Sequence, residues 1–376
     1  MILISLDGTR PSDVENLDLP TFAALAERGA VAEKLVPVFP TNTFPNHATL
    51  VTGVLPEVHG IVGNQFLGPE RGPFRYEADP SWFQPEPLWS IASRHRVVSA
   101  SYHWVGSEGA WINGLGPRYW KPFSDRAKEA EKVAQILAWL DIEDAKARPR
   151  LITTWFRGAD RAGHRYGPGS KYVRESLLPQ DEAIGQLVAG LDARGAFEHT
   201  TLLIVSDHGM REVHDNVDFA AAFEARGLRG RIFGGSGNVT VSIIEEDLER
   251  TVELAEALGL IVYRRKRPPA DLPSGVHLGN PRFGDLIVMA PPGVTLSDED
   301  PNMPIMRGAH GYLPDEPDMA GLLIAVGRGV TPGSRLPAAA SVDVTPTVLT
   351  LLGLPIPAAM EGHPIPGIAG PAGGTE

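Results

Sequence analysis

Short apolar runs in this chain each lead into a glycine-flanked segment that carries aspartate or histidine. Ile2–Leu6 stops at Asp7-Gly8. Leu151–Phe156 opens into Asp160 and Gly163-His164. The run 200–205 stops at Ser206-Asp207-His208-Gly209. An apolar run bounded by turn formers reads as a strand buried on both faces. Helical spacing fills the intervals at 19–28, 87–95, 127–140 and 178–191, the last with Ile184, Leu187, Val188 and Leu191 on one face. Strands alternating with helices specify an α/β fold, a mainly parallel central sheet with helices on both faces. Ligands gather at the carboxyl ends of such strands. Asp7, Asp160 and Asp207-His208 are therefore expected on one rim.

A second stretch supplies a hydroxyl. The run 31–38 reads as a strand and leads into Thr41-Asn42-Thr43-Phe44-Pro45-Asn46-His47. Pro45 suits a first helical turn, where its missing N–H needs no partner. Thr43 is thus expected just before a helix N-terminus, where free N–H groups and the helix dipole favour an anion. A hydroxyl there is a candidate nucleophile once something removes its proton.

The 376 residues, 43% of them hydrophobic, allow an ample core and two lobes. Residues 1–208 and 305–366 read as a catalytic core. Residues 209–304, with shorter strands and Pro/Gly-rich loops, read as an inserted cap lobe. Residues 367–376 read as a flexible tail, and Ser341 as the N-cap of a final helix over 341–352. The net charge of −12 argues against a stable nucleic-acid partner or an anionic membrane. No apolar run is long enough to span a bilayer, and no signal peptide is legible, so the expectation is cytoplasmic. Removal of a signal would instead make it secreted or periplasmic. The oligomeric state is not legible.

There is no cysteine, so a metal would be held by imidazole and carboxylate, a donor set suited to Zn²⁺, Mn²⁺ or Fe²⁺. Asp160 and His164 can share one ion if their loop turns back. Asp207 and His208, being adjacent, can both reach one ion only from an irregular strand end.

Thr43 to His47 with Leu50-Val51-Thr52-Gly53 resembles the nucleophile segment of the type I phosphodiesterase / nucleotide pyrophosphatase family, in the alkaline phosphatase superfamily. The segment 56–64, Leu6-Asp7-Gly8, Asp160 with Gly163-His164, Ser206 to Met210, and Gly308-Ala309-His310-Gly311-Tyr312 resemble the family's other segments in order. The resemblance implies an alkaline-phosphatase-like sandwich and two zinc ions. One would be held by Asp7, Asp207, His208 and the Thr43 oxygen, the other by Asp160, His164 and His310. It implies that Asn64 donates to a phosphoryl oxygen, that Phe44 lines the nucleoside side, and that Trp155 stacks on a base. The implied reaction is hydrolysis of a small phosphodiester or nucleotide through a phosphothreonine. Nucleotide-active members commonly carry Glu-Pro before the aspartate, where this chain has Arg157-Gly158-Ala159. That departure keeps a phosphonate hydrolase open as the alternative and leaves Arg157 and Arg161 as substrate contacts or surface charges. A catalytically inactive binding protein should lack a ligand or the nucleophile, and none is missing.

Overall fold

The computed structural model describes residues 1–15, 18–296 and 306–368. Its centre is an eight-stranded sheet in the order Ser334–Leu336, Ala30–Ala32, Leu323–Gly327, Thr201–Val205, Ile2–Leu6, Leu151–Phe156, Ser99–Tyr102, Tyr119–Lys121. Neighbours pair parallel except at Leu323–Gly327, which runs antiparallel to both of its neighbours.

Alternation along the strands builds two cores. Leu3, Leu203, Val205 and Leu323 point into one, with Leu50, Val51, Trp89 and Val348 from helices Thr43–Thr52, Leu88–Arg94 and Val344–Leu352. Ile2, Ile4, Leu202, Ile204 and Ile324 point into the other, with Phe22, Ile136, Ile184 and Leu187 from Pro20–Arg28, Glu129–Leu140 and Lys171–Ala193. The central strands are largely apolar because both of their faces are covered, with Ser5, Thr153 and Thr154 buried among them. The three-layer α/β architecture agrees with the sequence reading.

A second, antiparallel sheet orders Gly230–Gly235, Asn238–Ile243, Leu286–Met289 and Ile261–Arg264. Val239, Val241, Leu286 and Val288 build a third core with Leu254 from helix Leu248–Ala257, while Ile287 and Met289 face the first core. Among the described residues no helix is long and apolar enough to cross a membrane.

Several local expectations change. The run 31–38 is broken: Ala30–Ala32 joins the main sheet, and Leu35–Val36 pairs instead with Ala339–Ala340. The helix begins at Thr43 itself, with Asn42 as its N-cap. Ser341 is not an N-cap. It opens a 3₁₀ turn, Ser341–Asp343, and donates to the Val36 carbonyl over 3.0 Å, so the final helix starts at Val344. Of the expected tail, Ile368 is buried in the first core while Gly367 is exposed. Residues 369–376 lie outside the described residues.

Candidate active site

Register carries the ligating groups to one rim. Ser5 lies opposite both Trp155 and Val205, so the carboxyl ends of three adjacent strands are level. The Asp7 N–H extends the ladder to the Phe156 carbonyl, 3.1 Å away. The Asp7 carbonyl then accepts the N–H groups of Ala159 and Asp160, at 2.9 and 3.2 Å. Gly158 makes this approach possible. It sits at φ +56°, and a Cβ there would lie 1.9 Å from the Asp7 oxygen. Beyond it the chain forms a helix, Asp160–Tyr166, and not the loop expected. Asp160 and His164 are thus one turn apart on the same helical face, and no loop has to turn back.

Thr43 is held by its neighbours in sequence. Asn46 Nδ2 donates to the carbonyls of Asn42, Pro40 and Val38 at 2.9, 3.1 and 3.3 Å, and its Oδ1 accepts the Val38 N–H at 2.7 Å. One buried amide therefore knots the loop that presents the helix start. His47, one turn after Thr43, lies 2.8 Å from the Thr43 carbonyl through Nδ1 and 2.8 Å from Ser5 Oγ through Nε2. It ties the helix to the central strand.

The side chains collect into two groups, Asp7 with Asp207 and His208, and Asp160 with His164 and His310. In each histidine Nδ1 faces a backbone carbonyl: Gly209 for His208 (2.8 Å), Gly308 for His164 (2.8 Å) and Thr41 for His310 (3.0 Å). A carbonyl only accepts, so Nδ1 carries the proton and the Nε2 lone pair points inward. His208 Nε2 lies 3.1 Å from Asp207 Oδ2, 3.6 Å from Asp7 Oδ1 and 3.3 Å from Thr43 Oγ1. His164 and His310 present Nε2 to Asp160 Oδ1 at 3.2 and 3.7 Å.

Lone pairs thus face lone pairs. Asp7 Oδ1, Asp160 Oδ1 and Asp207 Oδ2 are buried without a well-formed hydrogen bond from any described residue. The closest approach to Asp207 Oδ2 from outside the two groups is His47 Nδ1 at 3.3 Å, whose proton faces the Thr43 carbonyl. Each such orphan costs about 1–3 kcal/mol, and more when charged. Cations held between these atoms remove the cost, and imidazole with carboxylate is a donor set for a transition-type divalent ion. The residues present fit two of them. The electrostatics agree. Burial, then the charges of Asp207 and Asp160, push the Asp7 carboxyl well above the carboxylate range. Burial opposes ionisation of Asp160 and Asp207 as well. Positive charge on the adjacent imidazoles when they are protonated, His164 for Asp160 and His208 and His47 for Asp207, is what holds them down, the place a bound cation would take.

A cleft of about 470 Å³ opens beside Thr43, walled by Phe44, Tyr76, His103, Phe123 and Trp155. Phe44 packs edge-on to Tyr76, with ring centres 5.3 Å apart. Asn64 borders the cleft with its Oδ1 accepting the Phe44 N–H. A smaller recess of about 210 Å³, lined by Asn42, Gln65 and Ser236, also reaches His164 and His310. Neither cleft is lined by Arg157 or Arg161.

All the residues expected at the site, Asp7, Thr43, Phe44, Asn64, Trp155, Asp160, His164, Asp207, His208 and His310, therefore converge. Sequence reasoning missed Asn46 and His47 as supports of Thr43, although their helical spacing from Asn42 and Thr43 was a usable signal. It also missed Tyr76 and His103, both at positive φ, which carry no motif.

The type I phosphodiesterase / nucleotide pyrophosphatase family matches residues 1–313. An uncharacterised pyrophosphatase/phosphodiesterase of Schizosaccharomyces pombe is 34% identical over 351 residues, which is 87% of this chain and 71% of that protein. A venom phosphodiesterase of Crotalus durissus collilineatus is 30% identical over 373 residues, 94% of this chain, and the chain spans 44% of its length. The structure of murine ectonucleotide pyrophosphatase/phosphodiesterase 5 superposes with a TM-score of 0.86 at 22% identity, over 97% of each chain, which gives the two the same alkaline-phosphatase-like fold. With a family match that runs through every one of the segments around Thr43, the chain belongs to the type I phosphodiesterase / nucleotide pyrophosphatase family, hydrolases acting on phosphoric esters.

Proposed function

We propose that this chain hydrolyses nucleotide phosphodiester or pyrophosphate bonds with two bound metal ions and a phosphothreonine intermediate on Thr43. The observation that carries the reading is the set of orphaned oxygens, Asp7 Oδ1, Asp160 Oδ1 and Asp207 Oδ2, gathered against three histidine lone pairs beside a helix-terminal hydroxyl. Asp7, Asp207, His208 and Thr43 would hold one ion; Asp160, His164 and His310 the other. Zinc suits this donor set best, with manganese or iron as substitutes. When bound, such ions supply Lewis acidity that lowers the pKa of a hydroxyl and offsets charge on phosphoryl oxygens.

The chain's own groups do the rest. Asn46 and His47 hold the Thr43 turn so that its Oγ faces the cleft. Thr43 Oγ attacks phosphorus in line; the new P–O bond forms as the bond to the leaving oxygen breaks, and the hydroxyl proton passes to solvent. Asn64 donates Nδ2–H to a non-bridging oxygen, and the helix N-terminal amides add to it. Water then displaces Thr43 from the opposite side. Phe44, Tyr76 and Trp155 offer flat, uncharged surfaces to a nucleobase, which favours diesters over monoesters, whose additional phosphate charge they cannot meet. Residues 209–304 serve as the cap lobe, and of its described residues Phe233, Ser236 and Asn238 line the recess.

The test is a panel of nucleotide p-nitrophenyl diesters, p-nitrophenyl phosphate and phosphonates, assayed with defined zinc and manganese. The nucleotide diesters should give the highest kcat/KM. Turnover of phosphonates alone would turn the reading into phosphonate hydrolysis, and no turnover by protein carrying two metals would leave a binding protein.

A further inference from the structure

Trp155 does something that stacking does not require. Its indole Nε1–H donates to Asp7 Oδ2 over 2.9 Å. Asp7 directly follows strand Ile2–Leu6, Trp155 lies on its parallel neighbour Leu151–Phe156, and Trp155 reaches Asp7 because the register sets it opposite Ser5. A carboxylate turns easily about its last torsion. Pinning Oδ2 fixes the direction of the other oxygen, Oδ1, which is the buried, unpartnered atom aimed at His208 Nε2. An N–H bond to a carboxylate is charge-assisted and directional, stronger than packing alone needs.

Trp155 is held in its turn. Lys132, on the Glu129–Leu140 helix, has a fully buried side chain that the proposed mechanism does not use. Its ammonium donates to the Trp155 carbonyl over 2.8 Å and sits 4.8 Å from the centre of the indole ring. Its carboxylate partner, Glu129 Oε1, is 3.6 Å away. Buried cations are kept where they are hydrogen-bonded and paired. Lys132 therefore fixes both the backbone and one ring face of Trp155. Phe123 packs against the indole with ring centres 5.5 Å apart.

We propose that Trp155 is a positioning residue for Asp7, setting the carboxylate for a divalent cation through its indole N–H, with Lys132 holding Trp155 in place. This rests on the two-metal reading above. It assigns the N–H a task separate from any contact between the ring and a substrate.

Trp155→Phe removes the N–H and keeps an aromatic face. A second variant carries benzothienylalanine at position 155, the sulfur isostere of tryptophan, which keeps the full ring size and serves if phenylalanine loosens the fold. The readout is zinc affinity of chelator-stripped protein, measured by competition with a fluorescent chelator and without any substrate. Both variants should weaken one of two zinc equivalents by about 10- to 100-fold, the range for loss of a group that orients a metal ligand, and leave the other equivalent unchanged. Lys132→Met should weaken the same equivalent by a smaller factor. Wild-type zinc affinity in both position-155 variants, with only the KM for nucleotide diesters raised, would overturn the proposal and leave Trp155 a substrate platform. If the unmodified protein bound no zinc, the two-metal reading would fall instead, so the two failures are distinct.

Discussion

The Phe44 N–H donates to Asn64 Oδ1 over 2.8 Å, and that one bond orients the Asn64 amide. Its oxygen is occupied by a backbone donor near the start of the Thr43–Thr52 helix, so Nδ2 is the end left for the cleft. Asn64→Ala should lower kcat on a nucleotide diester by about 100- to 1,000-fold, the loss typical of one donor to a charged transition state. Asn64→Asp, which can still accept from Phe44 but cannot donate, should be no better. Steady-state kinetics on the two variants decide it; a near-normal Asn64→Asp enzyme would mean that the amide only caps the helix.

Thr43→Ala should fold normally and hold most of its metal, because the loop is knotted by Asn46 and not by the Thr43 hydroxyl. Hydrolysis should drop by orders of magnitude as the covalent route disappears. Single-turnover assays with acid quenching should trap phosphoprotein in the native enzyme and none in the variant. Retained turnover would point to direct attack by water.

Chelation should destabilise the protein as well as silence it. The orphaned oxygens of Asp7, Asp160 and Asp207 are left facing lone pairs without their ions. Zinc at a hundredfold excess over its dissociation constant should restore about 2.7 kcal/mol per site. Calorimetry of stripped and reloaded protein, with elemental analysis giving about two equivalents, is the measurement. A melting temperature indifferent to zinc would count against resident metal.

Gly158→Ala should damage one metal position through the backbone. The left-handed conformation alone costs a residue with a side chain about 1–2 kcal/mol, and the added methyl would meet the Asp7 carbonyl at 1.9 Å. Denaturant unfolding should show a larger loss than that, and the metal content should fall first at the Asp160 position. An unchanged variant would show that this turn can relax freely.

Stability should depend on pH through His59. Burial pushes its imidazole down to about 3, with Nδ1 accepting the Ile61 N–H at 3.1 Å and Nε2 facing Thr49 Oγ1 at 3.0 Å. In the unfolded chain it titrates near 6.5. Below that value the unfolded state takes up a proton that the folded state refuses. The contribution is therefore complete above about pH 6.5 and falls by about 1.4 kcal/mol per unit as pH drops toward 3. His59→Gln should flatten the slope of unfolding free energy between pH 4.5 and 6.5 by up to one proton. Parallel slopes for the two proteins would refute this.

Much of the frame was legible because its strands are buried on both faces. Ile2–Leu6 and Leu151–Phe156 need no partner to be identified, since a short apolar run marks the first and β-branched and aromatic residues the second. The Asp160–Tyr166 helix was not legible. Gly158 and Gly163 read as loop signals, yet Gly163 donates to the Ala159 carbonyl as an ordinary helical residue, and Ala159 and Ala162 sit in the core. The run 31–38 failed for a related reason: its two halves find different partner strands, and pairing partners are not local information.

What the sequence by itself determined was which groups meet and from which strand ends. Apolar pattern and flanking glycine are local, and they place Asp7, Asp160 and Asp207 on a rim in any such sheet. What only the tertiary structure decided was how those groups are aimed. His164 is turned by the carbonyl of Gly308, 144 positions away, and His310 by that of Thr41, 269 positions away. Asp7 is turned by an indole from the neighbouring strand. Aim depends on hydrogen bonds between segments whose closeness exists only after the whole sheet has assembled, and no local pattern can carry that information.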